Sequence, residues 1–159
     1  MIGADANHKL FRPDIKLSRA MAVTVLYRIT GAPGATGLPN PFDDVAEGEW
    51  YTSAIKWAAA RGVAKGYGDA RFGPEDDITR QDLAVMLNNY ARIMEIALPA
   101  QREYAPFADD ANIAAYAKDA VVRLYRAKIV EGYTDGSFQP ENATTRAEYA
   151  AMIKRVMDP

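Results

Sequence analysis

The tetrapeptide Thr145-Arg146-Ala147-Glu148 occurs in nearly the same form at two earlier places, and the rest of the sequence aligns outward from it. The earlier copies are Thr79-Arg80-Gln81-Asp82 and Ser18-Arg19-Ala20-Met21. Each copy lies a few residues after a Phe-x-Pro, and each is followed by apolar residues at helical spacing. Self-similarity of this kind indicates a repeat architecture.

Each tetrapeptide begins with a residue that caps helices. A Ser or Thr hydroxyl accepts a hydrogen bond from the first helical turn, and an acidic residue three positions later can return to the backbone N–H of the cap. Residues 79–82 and 145–148 therefore predict capping boxes. In the first copy Met21 stands at the acidic position, so we expect Ser18 to cap alone. The predicted helices cover residues 18–30, 79–96 and 145–157.

The arginine of each copy stands at the first helical position, where the helix macrodipole disfavours a cation. A guanidinium beside helix N-terminal N–H groups can bind a carboxylate or a phosphate. Arg19, Arg80 and Arg146 are therefore candidate ligand-binding residues. The alternative is that each arginine pairs with the acidic residue two positions on, or with a neighbouring repeat.

Two copies of the repeat are complete and one is partial. Each full copy has a Phe-x-Asp, an aromatic residue, a helix, and a turn that begins at Gly66-Tyr67 or Gly132-Tyr133. Between these copies, Lys128 stands in place of Gly62 and Ala70 in place of Gly136, so both positions tolerate a Cβ atom. We predict one all-α domain over residues 1–159, with long structured loops and repeats at 11–31 (partial), 42–97 and 107–157. Residues 1–10 are expected to be irregular.

Composition excludes several functions. A net charge of −2 gives no broad field for nucleic acid, and no apolar run is long enough for membrane insertion. The absence of cysteine and the single histidine, His8, argue against thiol, zinc or triad chemistry. We predict no cofactor and no metal. The adjacent acids at 43–44 and 109–110 could suggest glycoside hydrolysis, but their repeated position favours caps or turns, so we predict no enzyme activity.

The ordered pattern of Phe-x-Asp, an aromatic residue, a helix, Gly-Tyr-x-Asp-Gly-x-Phe-x-Pro and Thr-Arg-Ala-Glu resembles the S-layer homology family. The resemblance covers essentially the whole chain. It implies a mostly helical, pseudo-threefold domain at the bacterial cell surface, outside the cell. Such domains anchor their owner to the cell wall by binding secondary cell-wall polysaccharide, often through a pyruvylated sugar. The family's ligand-contacting arginine maps to Arg146 and Arg80, and less well to Arg19.

A pyruvyl ketal is a carboxylate on a sugar, so it suits an arginine, helix N–H groups and an aromatic platform. The candidate platforms are Trp50, Tyr67, Tyr116 and Tyr133; the alternative for each is a packing role. The turn glycines Gly66 and Gly132 complete the predicted ligand-binding set. Asp69 and Asp135 are expected to hydrogen-bond their own turns, because their spacing does not fit an EF-hand loop.

The repeat order also predicts an arrangement. The three helices that follow the arginines should meet around the pseudo-threefold axis, with the other helices outside. A groove should form between each arginine and the first helix of the next repeat, which pairs Arg19 with Trp50 and Arg80 with Tyr116. Arg146 would need the first helix of the first repeat, so its groove should be open unless an upstream segment or a second molecule fills it. Arg80→Ala should therefore remove most of the binding.

The incomplete first repeat should also leave apolar surface exposed beside Met152 and Val156, and such a patch favours self-association. A protein-interaction or oligomerisation module of a surface-layer or secreted protein is accordingly the alternative to polysaccharide binding.

Overall fold

The computed structural model describes residues 11–159, and the expectation for residues 1–10 lies outside that range. The described residues form five α-helices and one 3-10 turn, with no strand among them. The helices are α1 (Arg19–Ile29), α2 (Thr52–Arg61), α3 (Arg80–Ile93), α4 (Ala115–Arg126) and α5 (Arg146–Met157), and the 3-10 turn is Asp110–Asn112. The predicted all-α class is confirmed, although α3 ends at Ile93 rather than at residue 96.

A closed ring of backbone hydrogen bonds joins the segments that lead into α1, α3 and α5. Leu17 N–H donates to the Thr144 carbonyl (2.8 Å), Thr144 N–H donates to the Ile78 carbonyl (2.9 Å), and Ile78 N–H donates to the Leu17 carbonyl (2.9 Å). One isolated antiparallel bridge lies between each pair of segments. The ring gives the domain its pseudo-threefold symmetry and joins the first repeat directly to the last.

The three helices that begin at this ring contact one another. Helix α3 packs on α5. The Tyr149 hydroxyl of α5 donates to the Ala22 carbonyl of α1 (2.7 Å), and the hydroxyls of Thr30 and Tyr90 link the end of α1 to α3 (3.3 Å). Helices α2 and α4 pack on the outside, against α1 and α3 respectively. The predicted meeting of the three arginine-bearing helices is therefore confirmed.

The predicted N-caps are present in all three copies. Each hydroxyl accepts from the amide three residues on: Ser18 from Met21, Thr79 from Asp82, and Thr145 from Glu148. Only Glu148 returns the bond, with Thr145 N–H donating to its Oε2 (2.8 Å). Of the capping box predicted at 79–82, the Thr79 cap is therefore confirmed, and the returning bond from Asp82 is wrong. Aspartate is one methylene shorter than glutamate, and the Asp82 carboxylate is engaged by Tyr116 instead.

The acids of Phe-x-Asp hold the Phe-x-Pro loops, as the turn interpretation of these residues expects. Asp44 accepts from the amides of Phe72 and Gly73 (both 2.8 Å). Asp109 does the same for Phe138 and Gln139. Asp69 and Asp135 each accept a bond from their own turn, as predicted.

Two pairs of equivalent positions share the left-handed backbone conformation whether or not a Cβ is present. Gly62 has φ 76° and Lys128 has φ 59°, while Gly136 has φ 81° and Ala70 has φ 61°. A side chain is therefore tolerated at both positions, as the sequence indicates, but the conformation favours glycine.

Met152 and Val156 of α5 are themselves buried, and open apolar surface lies beside them, next to Ile153. Both residues belong to the main core. The apolar surface that remains open lies between α1 and α5, on the side of α5 that carries Ile153. None of the described helices combines the length and the apolar character needed to cross a membrane.

Candidate functional site

Arg19 is buried and held by the turn of the second repeat. Its Nε donates to the Phe72 carbonyl and its Nη2 to the Lys65 carbonyl, both at 2.8 Å. The guanidinium carbon lies over the rings of Tyr67 (4.7 Å to the centroid) and Phe72 (4.8 Å). The third nitrogen, Nη1, lies 3.6 Å from Oδ2 of Asp82. The turn therefore fixes two edges of the guanidinium and directs the third towards Asp82.

A groove of about 630 Å³ opens at this guanidinium. Its lining residues are Arg19, Val63, Ala64, Lys65, Gly66, Tyr67, Asp82, Val85, Met86, Asn89 and Tyr116. Tyr67 is 49% exposed and Tyr116 is 63% exposed, and the Tyr116 hydroxyl donates to Oδ1 of Asp82 (2.6 Å). The first repeat supplies a cation, the second a ring and a carboxylate, and the third a ring. We call this the Arg19 groove.

Arg80 repeats the arrangement with a closer acid. Its Nε donates to the Phe138 carbonyl (2.7 Å) and its Nη2 to the Glu131 carbonyl (3.0 Å), and its guanidinium lies 4.5 Å from the Tyr133 ring centroid. Nη1 lies 3.1 Å from Oε1 of Glu148, which also accepts from the Tyr133 hydroxyl (2.7 Å). Arg80 is therefore held by a hydrogen-bonded ion pair in addition to its two carbonyls.

Arg146 has different surroundings. Its Nη1 donates to the Phe11 carbonyl (3.2 Å), and its Nη2 lies 4.0 Å from the sulfur of Met21. The apolar groove between α1 and α5, of about 330 Å³, runs alongside it and includes Met21, Val25 and Ile153. This site combines an apolar surface with two cations, Arg146 and Arg28.

The pairing of arginines with aromatic residues differs from the prediction. Arg19 shares its groove with Tyr116 of the third repeat rather than with Trp50 of the second. Arg80 lies against Tyr133, which belongs to the same repeat as the predicted Tyr116 but stands on its turn. The turn that holds each arginine already comes from the next repeat, so the first helix that reaches the Arg19 groove belongs to the repeat after that. Trp50 is exposed and packs against the Tyr51 ring (5.1 Å between centroids).

The helix N-termini do not offer the expected amides to a ligand. The amides of Arg19 and Ala20 donate to the carbonyls of Asp76 and Pro74, and those of Arg80 and Gln81 donate to Asn142 and Pro140. These four amides are therefore not available to a ligand. The alternative in which the arginine pairs with an acid of a neighbouring repeat is confirmed for Arg19 and Arg80.

Gly66 and Gly132 have a packing requirement of their own. A Cβ on Gly66 would lie 2.4 Å from the Arg71 carbonyl oxygen and 2.6 Å from the Phe42 ring. A Cβ on Gly132 would lie 2.9 Å from the Phe107 ring. Each glycine allows the turn to pack against the phenylalanine of Phe-x-Asp, and this packing positions the carbonyls that hold the arginine.

The ionisable groups around the arginines are set by burial and hydrogen bonding. Burial and then the hydrogen bond to Asp82 raise the pKa of the Tyr116 hydroxyl above its ordinary value of 10.0. Burial alone would raise the pKa of Glu148, but hydrogen bonds from Thr145 and Tyr133 and the charge of Arg80 lower it below 4.5. Both tyrosines therefore remain hydrogen-bond donors and Glu148 remains a carboxylate at neutral pH.

Sequence reasoning did not place Asp82 at Arg19 or Glu148 at Arg80, because it assigned both acids to capping and offered pairing with an arginine only as an alternative. A signal was present in the sequence. Aspartate in place of glutamate at the fourth position shortens the reach back to the cap, and this leaves the carboxylate available to another repeat.

The sequence model of the protein family described as "S-layer homology domain" matches residues 41–84 and 106–150 of this chain. Cell surface glycoprotein 1 of Acetivibrio thermocellus is 29% identical over 93% of this chain and 7% of that protein. An endoglucanase of a Bacillus species is 31% identical over 92% of this chain and 15% of the enzyme. A cellulosome-anchoring protein of Acetivibrio thermocellus is 26% identical over 94% of this chain and 34% of that protein. The chain thus spans a minor part of the length of each of these relatives.

Proposed function

The chain belongs to the S-layer homology domain family, and we propose that it anchors a larger protein to the cell wall by binding an anionic polysaccharide in the Arg19 groove. Domains of this family are cell-surface anchoring modules, and the chain is extracellular, at the bacterial cell surface. That the ligand is an anionic polysaccharide, and that it binds in the Arg19 groove, is our proposal.

The Arg19 guanidinium carries this proposal. It is buried, fixed by two carbonyls, and directed at a groove whose sides are the half-exposed rings of Tyr67 and Tyr116. A carboxylate bound to a fixed guanidinium makes strong, directional hydrogen bonds. The apolar face of a sugar can lie on a tyrosine ring while the hydroxyl keeps its hydrogen bond to a carboxylate, Asp76 for Tyr67 and Asp82 for Tyr116. A pyruvylated sugar combines both features and is the ligand we propose.

We place the main binding site at Arg19 rather than at Arg80 because the acid that faces Arg19 is held less closely. The Glu148 carboxylate lies within hydrogen-bond distance of Arg80, whereas Asp82 lies beyond it from Arg19. We propose Arg80, with Gly132 and Tyr133, as a weaker site of the same kind. Arg146 and Trp50 are proposed as contacts for further parts of a long polymer.

We propose that the described residues carry no catalytic activity. Their acids at 44 and 109 are occupied by backbone amides, and Asp110 is paired with Lys118 and Tyr104. The endoglucanase relative aligns with the chain over a small share of its length, which supports a module separate from a catalytic domain.

The test is retention by purified cell-wall sacculi, before and after chemical removal of their polysaccharide. We expect the unmodified protein to bind only the intact sacculi. Arg19→Ala should weaken binding about tenfold or more, since a charge-assisted bond is worth about 1.5–3 kcal/mol. Arg71→Ala is the matched control, because Arg71 is an exposed cation beside the same Tyr67 ring. Equal binding to stripped sacculi, or equal loss in both variants, would contradict the proposal.

The apolar groove between α1 and α5 favours one other function, self-association of the domain. Val25, Ile29 and Ile153 line it, and Ile29 is exposed. Sedimentation analysis of the protein and of Ile29→Glu over a range of concentrations tests this function. A dimer that dissociates in the variant would support it, and a monomer throughout would exclude it.

A further inference from the structure

We propose that Asp82 is a specificity residue of the Arg19 groove, which occupies the guanidinium in the absence of ligand and is exchanged for the carboxylate of the ligand. This inference rests on the proposed function and concerns the same groove. It assigns to the fourth position of the tetrapeptide a role in anion selection besides its place in the helix cap.

The geometry leaves a single place for the exchange. Nε and Nη2 of Arg19 are held by backbone carbonyls, and Nη1 faces Asp82. The distance of 3.6 Å from Nη1 to Oδ2 exceeds that of a hydrogen bond, so the pair is held by charge alone. A second carboxylate that reaches Nη1 with good geometry would replace a weak contact by a strong one.

Asp82 has another partner that can hold it during the exchange. Its Oδ1 accepts from the Tyr116 hydroxyl at 2.6 Å, and Tyr116 stands on a different repeat from Arg19. Asp82 can therefore lose contact with Arg19 and remain hydrogen-bonded. Its negative charge then stays in the groove beside the bound ligand.

The retained carboxylate should select among anions. A doubly charged phosphate is repelled twice as strongly by Asp82 and attracted twice as strongly by Arg19 as a singly charged carboxylate, so charge alone does not separate the two anions. Hydroxyl and amide groups of a sugar can donate to Asp82 while the sugar's carboxylate binds Arg19, and acetate, which has no donor, cannot. The groove should therefore favour a carboxylated sugar over inorganic phosphate, whose P–OH group shares a phosphorus with the oxygens that would bind Arg19.

The other copies differ at this position. Glu148 is within hydrogen-bond distance of Arg80 and is also held by Thr145 and Tyr133, so its exchange is harder. In the first copy a thioether, Met21, stands in its place. The fourth position of the tetrapeptide is thus a weakly held acid in one copy, a firmly held acid in another and an apolar residue in the first.

The experiment compares Asp82→Asn with the unmodified protein by NMR titration of the arginine side-chain N–H signals. The probes are a methyl hexoside carrying a pyruvyl ketal, the methyl ester of that ketal, acetate, and inorganic phosphate. Asp76→Asn is the matched control, because Asp76 accepts from the Tyr67 hydroxyl (3.0 Å) and its replacement removes the same charge from the same repeat. Circular dichroism verifies that both variants are folded.

We expect Asp82→Asn to bind acetate and the ketal about two- to fivefold more tightly, the range for removing an exposed, competing ion pair. Its preference for the ketal over phosphate should fall, and Asp76→Asn should match the unmodified protein. Acetate affinity that is equal or lower in Asp82→Asn would overturn the inference. Failure of the proposed function has a different signature: the ketal and its ester would bind equally in every protein, whatever acetate does.

Discussion

The Arg19 and Arg80 sites share the turn that holds the arginine and differ in the acid that faces it, aspartate at Arg19 and glutamate at Arg80, and in the Tyr116 ring that lines the Arg19 groove. In both, a turn supplies two carbonyls and two rings to a buried arginine. Glu148 is long enough to close its capping box and still contact Arg80 at 3.1 Å, whereas Asp82 reaches neither its own cap nor hydrogen-bond distance from Arg19. The same motif therefore forms a locked structural contact in one place and an open groove in the other.

Truncation of the two arginines tests most directly whether the Arg80 site contributes more to stability than the Arg19 site. Arg80→Ala should lower the free energy of unfolding by about 3–5 kcal/mol, because it leaves two buried carbonyls and Glu148 without their partner. Arg19→Ala should cost about 1 kcal/mol less, since its ion pair is longer. Equilibrium unfolding in urea measures both values. A larger loss of unfolding free energy in Arg19→Ala would mean that the distance between arginine and acid does not set the stability of the two sites.

The turns that hold the arginines can be compared through their glycines. Gly66→Ala should destabilise the fold by about 3 kcal/mol and Gly132→Ala by about 1 kcal/mol, following the closer contacts that a Cβ would make at Gly66. Gly34→Ala is the control, because its Cβ would meet no atom within 4 Å. Urea unfolding gives the order. Equal losses of stability at both turns would show that the structure around Phe42 relaxes enough to remove the difference between the two Cβ contacts.

The three N-cap residues are expected to differ in how much each stabilises its helix. Thr145→Ala should cost about 1 kcal/mol, the usual loss for an N-cap. Thr79→Ala and Ser18→Ala should cost less, because neither cap receives the returning bond. Thermal melts of the three variants provide the ranking. If Ser18→Ala proved the most damaging, the closed box would not be the source of the difference.

Acid should affect the two sites differently. The pKa of Glu148 is lowered in the folded protein, so its contribution to stability is complete above its ordinary value of 4.5 and is lost as the pH falls through the folded pKa. Glu148→Gln should therefore flatten the loss of stability below about pH 4.5. Urea midpoints of both proteins across that range test this, and parallel curves would contradict it.

The smallest expected effects concern two strained positions outside the arginine contacts. Lys128→Gly and Ala70→Gly should each stabilise the fold by about 0.5 kcal/mol, because glycine adopts positive φ without a steric penalty. The gain is reduced by the greater freedom of glycine in the unfolded chain. Thermal melts again provide the measurement, and a loss of stability would mean that the side chains make contacts worth more than the strain.

Much of the fold could be predicted from the sequence, because caps, apolar period and turn residues are local signals. The caps at Ser18, Thr79 and Thr145 and the contacts among their helices are examples. The pairing of Arg19 with Tyr116 could not be predicted in this way. It depends on how the three repeats rotate around the ring, and sequence order carries no information on that rotation.

The roles of Asp82 and Met152 were missed for a related reason. Each residue satisfies one local pattern, a cap for Asp82 and an apolar helix face for Met152. The structure uses them across repeats, with Asp82 at Arg19 and Met152 in the shared core. Contacts between repeats are set by the assembled domain, so a pattern within one repeat does not reveal them.

The ring of hydrogen bonds through Leu17, Ile78 and Thr144 has a consequence for how the protein comes apart. A linear array of repeats can unravel from an end, one unit at a time. In this ring each repeat touches both others, and Leu17 and Thr144 come from nearly opposite ends of the chain, so no repeat is terminal. Loss of one repeat opens the contacts of the remaining two, and the chain should therefore resist mechanical load as one cooperative unit that fails in a single step.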